Sequence, residues 1–90
     1  MQPVYLNQIV EVIAIFDTKD PKNICWPIKI KYKNKYINLT ELGLRHPTKK
    51  GMRTVHVFDM SDGENDYRLE FDSETLTWKL IYITNFNFYV

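Results

Sequence analysis

Runs in which apolar and polar residues alternate are the feature that most restricts the fold of this chain. The clearest run, Trp26–Lys33, carries apolar side chains at every second position and lysines at most of the positions between them. A period of two residues is that of a β-strand, whose successive side chains point to opposite faces. No stretch longer than about ten residues has the 3.6-residue period of an amphipathic helix, so the pattern predicts an all-β domain.

Turn-forming residues divide the first half of the chain into predicted strands. The first strand is expected over about Gln8–Phe16, and both of its faces are apolar, so we expect both to be covered. Trp26–Lys33 is the second strand. Asn34-Lys35 then predicts a two-residue turn that places Lys33 opposite Tyr36 on the outer face.

The middle of the chain contains two predicted interruptions. The alternating apolar residues move from odd to even positions near Thr40-Glu41, from Ile37 and Leu39 to Leu42 and Leu44. This change predicts a β-bulge or a break there, with Gly43 easing the bend. The segment His46–Gly51 predicts a turn region. A further strand is expected over about Arg53–Met60, and Ser61–Asn65 turns the chain back.

The last two predicted strands form a hairpin. A four-residue loop at Asp72–Thr75 would pair Phe71 with Leu76 and Leu69 with Trp78, so that the apolar faces of both strands agree. The side chains expected to face inward are Tyr67, Leu69, Phe71, Leu76, Trp78 and Leu80.

These segments predict a single all-β domain over residues 1–90. We expect an antiparallel meander of five to seven strands forming a small barrel or strongly curled sheet, because an open sheet leaves unpaired edges. The aromatic segment 84–90 is expected to be a docking tail or an extra strand. The predicted core consists of Val10, Val12, Trp26, Ile28, Ile30, Leu69, Phe71, Trp78 and Leu80.

Cysteine use and hydropathy bear on the compartment. Cys25 is the sole cysteine, so no intramolecular disulfide can form, whereas small secreted domains usually carry several. The N-terminus lacks the pattern of a signal peptide, and the longest apolar segment, Ile9–Phe16, is far shorter than the roughly 20 residues that span a bilayer. We therefore expect a cytoplasmic protein with no membrane partner.

Four segments carry a resemblance to a known group of sequences. They are Val10–Ile13, Ile30–Tyr36, Arg45-His46-Pro47, and the closing pair Tyr67–Asp72 with Leu76–Leu80. In this order they resemble a group of small bacterial β-rich proteins of unknown function, which tend to place Gly at the position of Asn34. The resemblance spans about residues 10–83 and implies a compact domain. It transfers no functional residues.

No motif in the sequence indicates catalysis. A Gly-rich phosphate loop, a nucleophile elbow and a metalloprotease helix are all missing, so we expect a non-enzymatic protein with no catalytic residues and no cofactor. Cys25, His46 and His56 could meet only through the fold, and a metal site needs three or four ligands. The acidic residues of segment 59–66 lack the calcium-loop pattern, which favours a solvated hairpin. We predict no metal site.

Charge is unevenly distributed along the chain. Residues 1–53 contain ten lysines and arginines against four acidic residues, whereas residues 54–90 contain two against seven. Attraction between strands is one explanation, and a basic surface for an anionic partner is the other. The second explanation predicts a nucleic-acid-binding small β-barrel that uses an outward-facing lysine row with one aromatic side chain for base stacking. Its predicted contact residues are Lys29, Lys31, Lys33, Lys35 and Tyr36.

The function we favour from the sequence is a protein-interaction or self-assembly module. If the first and last strands pair, their outward isoleucines form one apolar patch, and monomers rarely leave such patches open. The aromatic tail or a second subunit should then cover it. The predicted assembly patch consists of Ile13, Ile15, Ile81, Ile83, Phe86 and Phe88. The expected partner is the protein itself or another protein, with nucleic acid as the alternative.

Overall fold

The computed structural model describes residues 4–19 and 25–84, and within them the chain forms eight β-strands and no helix. This confirms the predicted all-β class, with one strand more than the upper expectation. The strands are β1 (Val4–Ile9), β2 (Glu11–Phe16), β3 (Cys25–Tyr32), β4 (Lys35–Asn38), β5 (Glu41–Lys50), β6 (Arg53–Ser61), β7 (Asp66–Asp72) and β8 (Thr77–Thr84).

The strands belong to two open antiparallel sheets. Five strands follow the order β1-β8-β7-β6-β5, and three follow the order β2-β3-β4. Consecutive strands are neighbours within β2–β4 and within β5–β8, as a meander predicts, but β1 pairs with β8 rather than β2, and β4 and β5 belong to different sheets. The predicted barrel or strongly curled sheet is wrong, because the eight strands are divided between two sheets and neither closes on itself.

Two buried residues mark the points where the chain passes between the sheets. The Val10 N–H donates to the carbonyl of Trp78 in β8, and the next residue, Glu11, already pairs with Lys31 in β3. At the other passage the Leu39 N–H donates to Ile28 in the three-stranded sheet. The following N–H, that of Thr40, donates to Ser61 in the five-stranded sheet. The predicted strand Gln8–Phe16 is thus divided at Val10, and the predicted break at residues 40–41 is confirmed.

The core lies between the two sheets. Ile30, Leu69 and Leu80 are completely buried, and Phe58 and Met60 of β6 are nearly so. The buried cluster is Val10, Ile30, Leu39, Phe58, Met60, Tyr67, Leu69 and Leu80. Val12, Trp26, Phe71 and Trp78 pack against this cluster while only partly buried, as predicted for core residues.

The hairpin between β3 and β4 turns one residue earlier than predicted. Lys33 and Asn34 both have positive φ, 51° and 61°, as the central residues of a type I′ turn require. Tyr32 therefore pairs with Lys35, and Tyr36 pairs with Lys31 rather than with Lys33.

The hairpin between β7 and β8 turns one residue later than predicted. The Asp72 carboxylate accepts hydrogen bonds from the backbone N–H groups of Glu74 and Thr75, which holds the turn. Leu76 adopts a positive φ of 59° and is exposed, so its predicted inward position is wrong. Phe71 pairs with Trp78, and both keep the predicted face.

Two irregularities change which side chains face the core. Pro27 pairs with Ala14 and Lys29 with Ile13, so Ile28 is an extra residue in β3, and Pro27 is fully buried. This fits a proline at a bulge, where no ladder N–H is needed. Ile28 was predicted to lie in the core, but Pro27 is the fully buried residue at this point of β3.

A second irregularity lies in β8. Leu69 pairs with Leu80 and Arg68 with Tyr82, which leaves Ile81 as an extra residue. One extra residue in a strand makes every side chain beyond it point to the face opposite the one expected from simple alternation. Ile83 consequently packs against the core, contrary to the outward position predicted for it.

Candidate functional site

The hairpin of β3 and β4 positions a group of basic and aromatic side chains on the outer face of the three-stranded sheet. Lys31 pairs with Tyr36, and Lys29, two residues earlier on the same strand, pairs with Asn38. Ile30, between the two lysines, is completely buried in the core, so the lysines point away from it. We call Lys29, Lys31 and Tyr36 the lysine–tyrosine surface.

The three side chains of the lysine–tyrosine surface are close together, with Tyr36 exposed and the two lysines half-buried. The Nζ atoms of Lys29 and Lys31 each lie 5.7 Å from the centre of the Tyr36 ring. The Tyr36 side chain is 62% exposed. An exposed ring flanked by two ammonium groups can stack on a planar group while the ammonium groups contact anions beside it.

A shallow depression of about 230 Å³ adjoins the lysine–tyrosine surface. Ile13 of β2 pairs with Lys29 and contributes an exposed apolar wall. Glu11 pairs with Lys31, and its carboxylate lies 4.0 Å from the Lys31 Nζ. Glu11 is largely exposed, so this ion pair is weak and is screened by salt.

The structure separates the other two predicted lysines from this surface. The Lys33 Nζ lies 5.4 Å from the ring centre of Tyr32, at the turn. Lys35 pairs with Tyr32, so it lies on the opposite face from the pair Lys31 and Tyr36. The sequence therefore placed Tyr36 on the correct face but did not distinguish Lys29 and Lys31 from the two lysines at the turn.

Strand β2 exposes a second set of side chains at the edge of the three-stranded sheet. Ile13, Ile15 and Phe16 are all exposed, and Phe16 is 70% exposed. The predicted covering of both faces of this segment is therefore wrong. β1, at the edge of the other sheet, likewise exposes Val4, Tyr5 and Ile9.

The members of the predicted assembly patch are distributed between the two sheets. β1 pairs with β8, so the first and last described strands are neighbours as assumed. Ile13 and Ile15, however, belong to β2 in the other sheet, and Ile83 packs against the core. Phe86 and Phe88, with the rest of the predicted tail beyond Thr84, lie outside the described residues. Among the described members, Ile13 and Ile15 form part of one exposed edge, and Ile81 is the half-buried extra residue of β8.

The two candidate histidines point away from each other, and Cys25 belongs to the other sheet. His46 pairs with Val57 and His56 pairs with Pro47, so the two imidazoles are on opposite faces of their sheet. Both belong to continuous strands, because β5 extends through the predicted turn region to Lys50. Burial raises the pKa of the Cys25 thiol and nearby Arg45 offsets this only in part, which disfavours the reactive thiolate.

The acidic hairpin between β6 and β7 uses its carboxylates for structure. Asp59 accepts two hydrogen bonds from the Arg68 guanidinium, at 2.7 and 2.8 Å. Asp62 accepts hydrogen bonds from the Tyr67 hydroxyl at 2.6 Å and from the Asn65 N–H at 2.7 Å. Burial alone would raise the pKa of Asp62, but these bonds and one from the Glu64 N–H outweigh it and lower the pKa. Within residues 4–19 and 25–84, no three His, Cys, Asp or Glu side chains are grouped to hold a metal ion.

Ion pairs account for part of the uneven charge. Lys50 lies 2.9 Å from Glu70, and Arg53 lies 3.1 Å from Asp72 and 3.9 Å from Glu74. These contacts join the basic first half of the chain to the acidic second half, as the explanation by attraction between strands predicts. Lys29 and Lys31 belong to the other sheet, so the basic lysine–tyrosine surface has to be explained separately.

Comparisons with protein-family models, curated proteins and solved structures find no match to this chain in any of the three. The resemblance to small bacterial β-rich proteins stays a prediction. In the described part of the chain, no helix has the length and apolar character needed to cross a bilayer.

Proposed function

We propose that this domain is a non-enzymatic interaction module that self-associates through the edge strand β2. The observation that carries the proposal is the exposure of Ile13, Ile15 and Phe16 on a strand that lies at the end of its sheet. An edge strand presents unpaired N–H and C=O groups, which can add a strand from another chain.

The composition of β2 supports this proposal. Natural edge strands that must stay unpaired usually carry lysines, a proline or an inward-pointing charge. In Glu11–Phe16 the sole charged residue is Glu11, at the start of the strand, and there is no proline. β2 therefore lacks the features that prevent pairing between edges.

An antiparallel pair of β2 strands would be self-complementary. A two-fold axis at Ala14 places Ile13 of each copy opposite Ile15 of the other, on the outer face of the joined sheet. Each aliphatic cross-strand pair contributes about 0.2–1 kcal/mol beyond the backbone hydrogen bonds. The joined sheet would have six strands, which is within the usual size range.

The test is the oligomeric state of a variant with a charged edge. Replacing Ile15 and Phe16 by Glu should weaken self-association at least tenfold, which is about 1.4 kcal/mol. Sedimentation velocity over a range of protein concentrations measures it. Met52→Glu is the control for an added surface charge away from β2, because this side chain is 97% exposed at the turn between β5 and β6. A wild-type chain that is monomeric throughout, or equal weakening by Met52→Glu, would contradict the proposal.

A further inference from the structure

We propose that the lysine–tyrosine surface binds single-stranded nucleic acid, with one base stacked on Tyr36 and the neighbouring phosphates contacted by Lys29 and Lys31. This goes beyond self-association, because it assigns a different class of partner to Lys29, Lys31 and Tyr36, which take no part in the proposed pairing of β2 strands.

The arrangement fits a nucleotide in both charge and shape. Bases stack on exposed aromatic rings whatever their sequence, since every base has a π-face. The two ammonium groups, each 5.7 Å from the centre of the ring, are close enough to contact phosphates that flank the stacked base. Exposed Ile13 adds an apolar wall beside them.

Competing contacts within the free protein are weak enough to be displaced. Lys29 and Lys31 are half-buried, but the Tyr36 ring beneath them is exposed. A cation over an exposed ring is held less strongly than a stacked base, so the ammonium groups can leave the ring for phosphates. Glu11, 4.0 Å from the Lys31 Nζ, is the carboxylate that would repel a phosphate at this position. Glu11→Gln should therefore tighten binding.

The surface favours single strands over duplexes. In a duplex the bases stack on one another, whereas Tyr36 can stack only on a base that is free of its neighbours. Tyr36→Ala should weaken binding by about 5- to 150-fold, the range found for loss of one base–aromatic stack. Tyr36→Phe keeps the ring and should retain most of the affinity.

The chain provides a matched control for the charge effect. Lys29→Gln with Lys31→Gln removes the two lysines beside Tyr36, and Lys33→Gln with Lys35→Gln removes two lysines from the same hairpin away from it. Both double variants change the net charge equally. Each phosphate contact to a single strand contributes about 0.7 to the slope of log affinity against log salt. The first pair should lower that slope by about 1.4, and the second should change it little.

The experiment is a fluorescence anisotropy titration with labelled oligothymidine at several salt concentrations, with a duplex of equal length for comparison. Circular dichroism confirms that each variant is folded. The double variant Lys29→Arg with Lys31→Arg keeps both positive charges and should bind, unlike the corresponding Gln variant. Absence of binding at low salt would overturn the proposal, as would equal slopes for the two double variants or equal affinity for the duplex. Self-association is measured without nucleic acid, so each proposal can fail while the other holds.

Discussion

Trp78 connects the aromatic residues of three strands, and its removal is the sharpest test of the packing. Its ring centre lies 4.8 Å from that of Phe71 and 5.4 Å from that of Phe58. Replacing a buried Trp by Ala costs about 3–5 kcal/mol, and each aromatic pair contributes about 0.5–1.5 kcal/mol beyond its buried area. Because Trp78 is only half-buried, we expect Trp78→Ala to lower the free energy of unfolding by about 3 kcal/mol.

Urea denaturation measures this loss, with Trp26 as the remaining fluorescent probe and circular dichroism as a second signal. With a slope of about 1–1.5 kcal/mol per molar urea, the midpoint should fall by roughly 2–3 M. Met52→Ala, at an almost fully exposed position, should stay within about 0.5 kcal/mol of wild type. A Trp78→Ala variant that lost less than about 1 kcal/mol would show that the three rings do not stabilise the core as argued.

Two further predictions concern the tail and the alkaline range. Deleting residues 85–90, with Phe86 and Phe88, should increase light scattering at rising concentration, because these aromatic side chains are expected to cover apolar surface. A truncated chain as soluble and stable as the full-length protein would remove that role. Burial and the hydrogen bond to Asp62 raise the pKa of Tyr67 to about 12, so the stability this hydroxyl contributes is complete below about pH 10 and is lost as the pH rises towards 12. Free energies of unfolding measured across that range should fall less for Tyr67→Phe than for wild type, and parallel curves would refute the assignment.

The sequence alone determined the all-β class and most of the inward-facing residues. Leu69, Trp78 and Leu80 lie on the predicted face because alternation follows from the geometry of the extended backbone, whichever strand is the neighbour. Tyr36 kept its predicted face for the same reason. The turn lies one residue earlier than predicted, so the residue paired with Tyr36 changes by two positions, from Lys33 to Lys31. Residues two positions apart on a strand point to the same face, so Tyr36 stays on the outer face.

Only the tertiary structure decided how the strands are divided between sheets. Val10 continues the apolar pattern without interruption, yet its N–H bonds to β8 while Glu11 pairs with β3. Hydrogen bonds between strands join residues distant in the sequence, and local periodicity carries no information about the partner. The sequence around Ile81 likewise contains no signal that this residue is an extra one in β8. Its insertion nevertheless makes Ile83 face the core instead of solvent. The exposed edge β2 results from these long-range pairings, whereas the local turn at Lys33 and Asn34 is what places Lys35 opposite Tyr32, away from Lys29 and Lys31.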